Sequence, residues 1–382
     1  MRRTPALIVG GGPAGASAAI LLARAATPHL LIERSRDTGD ALCGGFLSWR
    51  TLESLRSLGV EPEALGPARV THVRLFAGTR MAQARLPRPA IGVSRRHLDS
   101  LLLDRAARAG AGIERGASVK AIESVEGVEG MVARLQDGSA IEADALFLGS
   151  GKHDIRGLAR PTEARGEDPS LGLRIRLARS PALDLLVGGA IELHLFDRGY
   201  MGVVLQEDGS ANCCMAVHRS RLAESGDPER LLESLAAESP RLGERLAWRR
   251  GGEAIDAVAN VPYGWRVREG RAGLFRLGDQ AGVIPSLAGE GMGIAIASGI
   301  RAARAYVRGG SDAAIPFQGQ LAHDLNRPIG IADLIRGAAE RPGMAATLVP
   351  VAQKLPLLIA AVARLTRINH SHLDHSTGAQ ES

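Results

Sequence analysis

Lysine is nearly absent from this chain of 382 residues: Lys120, Lys152 and Lys354 are the only three, and every other cation among its 47 is an arginine. These cations are scattered without a polybasic run, so the net charge of +6 belongs to a solvated surface and not to a nucleic-acid-binding tail. Aromatics are scarce too. Three Trp, three Tyr and six Phe leave few platforms on which bases could stack, and nucleic acid is not an expected partner. Cys43, Cys213 and Cys214 are too few for a disulfide framework and lack metal-ligand spacing, which fits a reducing compartment. His370, His372 and His375 read as a chance grouping in a polar C-terminus, so no metal is expected. Long apolar runs are missing as well. None reaches the roughly 18 residues that span a bilayer, and Ala6–Val9 is shorter than the about 7–15 apolar residues of a signal peptide. A cytoplasmic protein is expected. The composition, 45% hydrophobic and 23% charged, is that of a globular protein and excludes disorder, collagen and coiled coil.

What is present is concentrated at the beginning. The continuous apolar run Ala6–Val9 reads as a strand buried on both faces of a parallel sheet. It enters Gly10-Gly11-Gly12-Pro13-Ala14-Gly15, a small-residue helix follows, and Leu30–Ile32 forms a second strand ending in Glu33 and Arg34. Strand, G-x-G-x-x-G, helix, strand and acid form the dinucleotide fingerprint in its required context. Gly10 permits the tight turn, Gly12 lets backbone approach a pyrophosphate, and Gly15 packs the helix close to the strand. The helix N-terminus beginning near Ala14 offers free N–H groups and a positive dipole end to phosphates. Glu33 is placed to accept from an adenosine ribose. The fingerprint alone leaves FAD and NAD both open.

Far downstream, an apolar strand Gly273–Leu277 ends in Gly278-Asp279, followed by Gly289-Glu290-Gly291-Met292-Gly293 and a helix from Ile294 to about Val307. With this segment the chain resembles FAD-dependent oxidoreductases of the para-hydroxybenzoate hydroxylase type, including geranylgeranyl reductases. The resemblance covers about residues 5–155 and 270–308. It implies FAD, with Asp279 at the ribityl hydroxyls and Gly291 and Met292 at the flavin pyrimidine, where a helix N-terminus stabilises negative charge. Cys43-Gly44-Gly45-Phe46-Leu47-Ser48 resembles a loop near the isoalloxazine; Cys43 is either a flavin or substrate contact or a small residue in a tight loop. Arg95 opens a segment resembling the family's R-x-x-L-D-x-x-L helix and is a candidate for cofactor phosphate or ribityl. The strand Ala117–Lys120 places Val119 at adenine.

The implied fold class is α/β: a discontinuous Rossmann-like FAD-binding domain with a parallel sheet (1–70, 93–157 and 265–310), an inserted mainly antiparallel β substrate domain (71–92 and 158–264) and a C-terminal helical segment (311–382). Alternation over 70–92 predicts a hairpin, and four strand-like segments lie within 170–218. Residues 220–247 read as helix broken by Pro228 and Pro240, and Pro350, Lys354 and Pro356 interrupt the apolar tail. The expected activity is a flavin monooxygenase hydroxylating an apolar aromatic, polyketide or lipid-like substrate, with NADH or NADPH as reductant. A C=C reductase like the geranylgeranyl reductases and a flavin-binding electron carrier are the alternatives. Candidate substrate contacts are Cys43, His153 and Tyr200. Gly149-Ser150-Gly151-Lys152 stands where the hydroxylases carry G-A-D-G, and its basic residues are candidates for an anionic cofactor or substrate. The C-terminal helices are candidates for peripheral membrane contact.

Overall fold

The computed structural model describes residues 1–124, 130–249 and 253–368. The chain opens with strand β1 (Arg2–Val9), helix α1 (Pro13–Arg24) and strand β2 (Leu30–Glu33). Strand β3 (Phe46–Leu47) and helix α2 (Trp49–Ser57) lead into the hairpin of β4 (Arg69–Ala77) and β5 (Arg80–Gly92). Helix α3 (Arg95–Arg108) and strand β6 (Gly112–Arg115) precede the meander β7 (Val119–Glu123), β8 (Met131–Leu135) and β9 (Ala140–Leu148). Strand β10 (Ser170–Leu177), helix α4 (Pro181–Val187) and strands β11 (Gly189–Phe196), β12 (Gly199–Leu205) and β13 (Ala211–His218) follow. Helices α5 (Arg219–Ser225), α6 (Pro228–Glu238) and α7 (Pro240–Leu246) lead to strand β14 (Asp256–Val261). Strand β15 (Leu274–Arg276) and helix α8 (Gly291–Gly309) return to the first sheet, before α9 (Ala314–Ala339), α10 (Pro342–Lys354) and α11 (Pro356–Leu365).

Two sheets result. In the first, the order is β6-β2-β1-β9-β8-β7, with β15 also on β9. Its β6, β2, β1, β9 and β15 run parallel, while β7 and β8 are antiparallel additions. The second sheet, β14-β10-β13-β12-β11-β4-β5-β3, is antiparallel except where β11 meets β4. The α/β class, the parallel-containing sheet, the mainly antiparallel one and the C-terminal helices thus follow the expectation. So do the 70–92 hairpin, the four strands of 170–218 and the two proline breaks.

Three local expectations shift. The strand expected at 117–120 begins two residues late: β6 ends at Arg115 before Gly116 (φ +79°), Ala117 and Ser118 lie between strands, and β7 starts only at Val119 to pair with β8. Helix α8 starts three residues early, because Gly289 (φ +63°) closes the preceding turn and Glu290 takes the N-cap position. Pro350 does not break α10; the interruption is at Leu355–Pro356, where α11 begins with proline in its first turn and the two helices bend by 106°. Among the described residues no single helix is long and apolar enough to cross a membrane.

Small residues set the closest packing. A Cβ on Gly299 of α8 would stand 2.1 Å from the Ala14 carbonyl oxygen, so α1 and α8 meet backbone to backbone under the first sheet. One face of the second sheet buries Leu173, Ile175 and Val203 against Leu231 and Leu235 of α6. On the other, Ala77 and Leu195 meet Val349 and Ala352 of α10. A charged group lies within this sheet: Glu192, fully buried, accepts from both Nε and Nη2 of Arg245 at 2.9 Å and from Arg74 at 3.1 Å, while His194 stacks on Phe76. Burial pushes the Glu192 carboxyl up, but His194 and Arg245 outweigh it and hold its pKa at about 2.

His218 at the end of β13 fastens the sheet to α9. Its ring reaches Glu340 at 3.0 Å and Asp168 at 3.3 Å, with Arg336 opposing them. The Glu340 hydrogen bond raises the imidazole pKa above its ordinary 6.5 against the effect of burial. A raised histidine pKa contributes stability that is complete below pH 6.5 and is lost as pH rises through the folded value. Urea unfolding of wild type and His218→Gln across pH 5.5–9 is expected to show a stability difference that is largest in acid and shrinks towards alkaline pH; a pH-independent difference would refute it.

Candidate functional site

One cavity of about 990 Å³ runs from the first glycine turn to the C-terminal helices, between the two sheets. At its first end β1 stops in Gly10, whose φ of +102° and whose absent Cβ, which would lie 2.5 Å from the Gly149 carbonyl oxygen, both require glycine. Gly15 is equally constrained, its Cβ position being 2.0 Å from Gly10 O. Gly12 differs, since a Cβ there would meet only the Arg95 guanidinium, at 3.2 Å; the backbone is bare towards the cavity. Helix α1 has Gly12 as N-cap and no capping side chain, whereas α2 and α3 are capped by Ser48 and Ser94. Donors at the start of α1, beside Ala14, therefore face the cavity unclaimed by a side chain.

Glu33 lines the same end with its carboxylate fixed by Gly11 N (2.7 Å) and Ser35 N (2.8 Å), leaving lone pairs for further donors. Arg34 lies 2.9 Å from His153 Nε2. Burial and the Arg34 charge lower the His153 pKa, so the imidazole is neutral in character and belongs with the groups around Glu33. Arg95 is held by Asp99 through two hydrogen bonds of 2.8 and 2.7 Å. Burial opposes its charge, but Asp99 more than compensates and the guanidinium stays protonated. Val119, at the start of β7, borders the cavity nearby.

Asp279 follows β15 in a single turn of 3₁₀ helix and faces Lys152 Nζ at 3.5 Å. Burial lowers the lysine pKa and Asp279 raises it, with a net rise that keeps the ammonium charged. Behind them Arg160 donates to the carbonyls of Asp279 (3.1 Å) and Lys152 (2.6 Å), tying this loop to the strand end. Gly291 and Met292 open α8, which also has no capping side chain, and nothing lies within 4 Å of a Cβ built on Gly291. Gly44 is likewise open, while the Cys43 carbonyl accepts from Asn212 Nδ2 at 2.9 Å. The sequence-derived candidates from Gly10 to Met292 thus border one continuous space, except Gly15, which packs against Gly10 behind it.

The far end is apolar. Leu75, Ile191 and Leu193 face Leu348, Ile359 and Val362 of the C-terminal helices across it. Tyr200 closes its floor, buried, with its hydroxyl accepting from Leu287 N (2.8 Å) and bonded to Ser286 Oγ (2.5 Å). Tyr263 reaches the same Ser286 at 3.0 Å. Burial raises both phenol pKa values, so the pair is neutral and serves as a hydrogen-bonded clamp on the turn before α8. Of the three candidate substrate contacts, Tyr200 borders the apolar end, His153 is engaged with Arg34, and Cys43 lies in the loop between them. Cys214 also lines the cavity, its thiol pushed up to about 12 by burial.

Several residues escaped the sequence reading. Tyr263 and Ser286 carry no motif, although two of only three tyrosines meeting one serine makes aromatic scarcity itself a signal. Glu290 and Arg367 were silent as a pair because they are distant in the chain. Glu290 is fully buried behind the α8 turn and accepts from Arg367 (2.9 Å), Ser48 (3.1 Å) and Ile368 N (3.4 Å). Arg367 also donates to Ala288 O at 2.7 Å and lies over Trp49. Among the described residues no group of three or more His, Cys, Asp or Glu could hold a metal, and His370, His372 and His375 lie outside them.

A family described as FAD binding domain matches residues 3–305. The chain is 46% identical over 61 residues to 2,4-dichlorophenol 6-monooxygenase of Cupriavidus pinatubonensis, covering 16% of this chain and 10% of that one. It is 35% identical over 118 residues to the chloroplastic geranylgeranyl diphosphate reductase of Nicotiana tabacum, covering 30% and 24%. The matched stretches therefore span no more than about a quarter of these relatives. Among solved structures, the flavin-dependent brominase Bmp2 superposes with a TM-score of 0.73 at 18% identity, covering 95% and 93% of the two chains. A geranylgeranyl bacteriochlorophyll reductase-like protein of Thermoplasma acidophilum gives 0.73 at 17% identity, covering 96% and 97%. At these identities the likeness is one of fold.

Removing Arg367 leaves the Glu290 carboxylate buried without its cation. Arg367→Ala is expected to cost about 3–5 kcal/mol in chemical unfolding, and the double variant Glu290→Gln/Arg367→Met to recover much of it.

Proposed function

The chain belongs to the FAD binding domain family, and from that premise we propose that it is an FAD-dependent monooxygenase of an apolar aromatic, polyketide or lipid-like substrate. The observation that carries this reading is the single cavity with a polar, glycine-lined end and an apolar end. Its size and lining fit the cofactor: Gly12, Gly44 and Gly291 each leave room where another residue would project a side chain.

In this reading Gly10 to Gly15 and the uncapped start of α1 hold the pyrophosphate. Glu33 accepts from the adenosine ribose, Arg34 and Arg95 neutralise phosphate charge, and Val119 borders adenine. Asp279 binds the ribityl hydroxyls with Lys152 alongside, and the start of α8 at Gly291 and Met292 faces the flavin ring. Bound FAD would supply the two-electron redox chemistry and the activation of oxygen. The protein's own part is to orient the substrate and exclude water. Leu193, Ile359 and Val362 offer it a dry wall, and the Tyr200–Ser286–Tyr263 clamp fixes the turn between substrate and cofactor. NADH or NADPH is the reductant in this proposal.

The relationship to the tobacco reductase supports a second reading, reduction of a C=C bond in an isoprenoid-like substrate. For either substrate class, entry from a membrane surface in a cytoplasmic setting is consistent with Leu355, Leu357 and Leu358, which stand exposed at the bend between α10 and α11 beside the cavity's apolar end.

The purified protein is expected to be yellow, and Gly12→Val to lose most of its flavin absorbance while keeping its circular dichroism. Anaerobic reduction with NADH or NADPH, followed by air and an apolar substrate, is expected to yield oxygenated product. Product saturated at a double bond without oxygen uptake selects the reductase, and no substrate-dependent turnover selects an electron carrier. Protein that neither carries nor takes up FAD overturns the reading.

A further inference from the structure

A second depression, of about 490 Å³, lies outside the large cavity, where the segment before β15, the loop after β9 and helix α9 meet. Four arginines line it, Arg266, Arg268, Arg271 and Arg276, and Glu269 is the one acid among its described lining residues. Such a density of like charge is unfavourable unless something neutralises it.

The innermost donors have nothing to donate to. Arg276 ends β15, and its Nη1 is shut off from solvent with no hydrogen-bond partner. Burial, Arg160 and Arg271 all push its pKa down. The carboxylate that opposes them, Asp154, is already engaged by Arg160 at 2.7 Å. Gln318, 1% exposed on α9, stands beside it. The backbone N–H of Arg276 donates to Gln318 Oε1 at 3.2 Å, and this fixes which end of the amide faces which way. Gln318 Nε2 is therefore a donor, it is buried, and it too lacks a partner. One guanidinium nitrogen and one amide nitrogen, both shut off from solvent and both without an acceptor among the described residues, mark a place for oxygen atoms that the protein does not supply. Among the described residues the Arg271 side chain bonds a neutral hydroxyl, that of Ser124, and no carboxylate.

We infer that this depression binds a phosphate-bearing anion, with Arg276 and Gln318 donating to its oxygens and Arg266, Arg268 and Arg271 neutralising it. A carboxylate has two oxygens and one charge; four arginines from 266–276 and the Gln318 amide from α9 suit the three or more oxygens and higher charge of phosphate. The volume exceeds what a bare phosphate fills and leaves space for the organic part of a phosphomonoester, with Trp265 on the wall. This site is independent of the flavin reading. None of its lining residues borders the large cavity.

The test is thermal unfolding of the full-length protein, with FAD present throughout, titrated with sodium phosphate against sodium chloride at equal ionic strength. Phosphate is expected to raise the midpoint well beyond chloride. Arg276→Leu is expected to abolish that response while leaving the phosphate-free midpoint unchanged or higher, since it removes an uncompensated buried charge; a merely structural arginine would lower it. Exposed Arg268→Gln, which spares the interior, is expected to weaken phosphate binding about tenfold in calorimetry. NADPH and NADH, added in place of phosphate, identify the source. A response to NADPH that NADH lacks and Arg276→Leu removes assigns the site to a nucleotide 2′-phosphate, and a response to phosphate alone assigns it to the free anion. Equal effects of phosphate and chloride, or an undiminished phosphate response in Arg276→Leu, overturn the inference.

Discussion

Everything about the large cavity depends on backbone meeting backbone without intervening Cβ atoms. Gly10 touches the end of β9 at Gly149, Gly15 touches Gly10, and Gly299 of α8 touches Ala14 of α1. These contacts bring the starts of α1 and α8, more than 270 residues apart in the chain, under one sheet and aim both at the same space. A side chain at any of the three would push the two backbones apart by a distance the rest of the core cannot absorb. Other glycines serve the opposite purpose. At Gly44 and Gly291 the absent side chain leaves emptiness instead of contact, and at Gly12 only the Arg95 guanidinium approaches, so the cavity's wall is bare backbone at all three.

The sequence made the opening of the first sheet legible because its cues are local, whereas β6, β8 and β9 carried no such cue. An apolar run, a glycine turn and a terminal acid each act over a few residues, so β1, α1, β2 and Glu33 could be placed by spacing alone. The hairpin of β4 and β5 was equally readable from alternation. What stayed hidden depends on distance in the chain. Glu290 and Arg367 carry no mutual signature, yet their pairing fixes the C-terminal segment to the α8 turn. Tyr263 and Ser286 are ordinary residues until Tyr200 arrives from another strand. Local geometry also misled where tertiary pairing decided the outcome. Pro350 sits inside α10 next to Val349, whose complete burial against the second sheet outweighs the lost hydrogen bond.

Charge in this molecule is handled in two ways. Inside the second sheet, Glu192 gathers Arg245, Arg74 and His194 around its carboxylate, and behind α8 Glu290 does the same with Arg367 and Ser48. Such groups fix the register between elements more than they add net stability. At Arg276 and Gln318 the accounting is left open: each keeps a buried donor without an acceptor among the described residues, and both line the smaller depression.

The bend at Leu355–Pro356 gives the apolar end of the cavity a chronology. The residues that flank the polar end, from Gly10 to Met292, all precede α10 and α11 in the chain. On a ribosome the polar end can be completed while the wall formed by Leu348, Ile359 and Val362 is still being translated. A nucleotide seated at that stage would meet an open chamber, and the wall would close behind it.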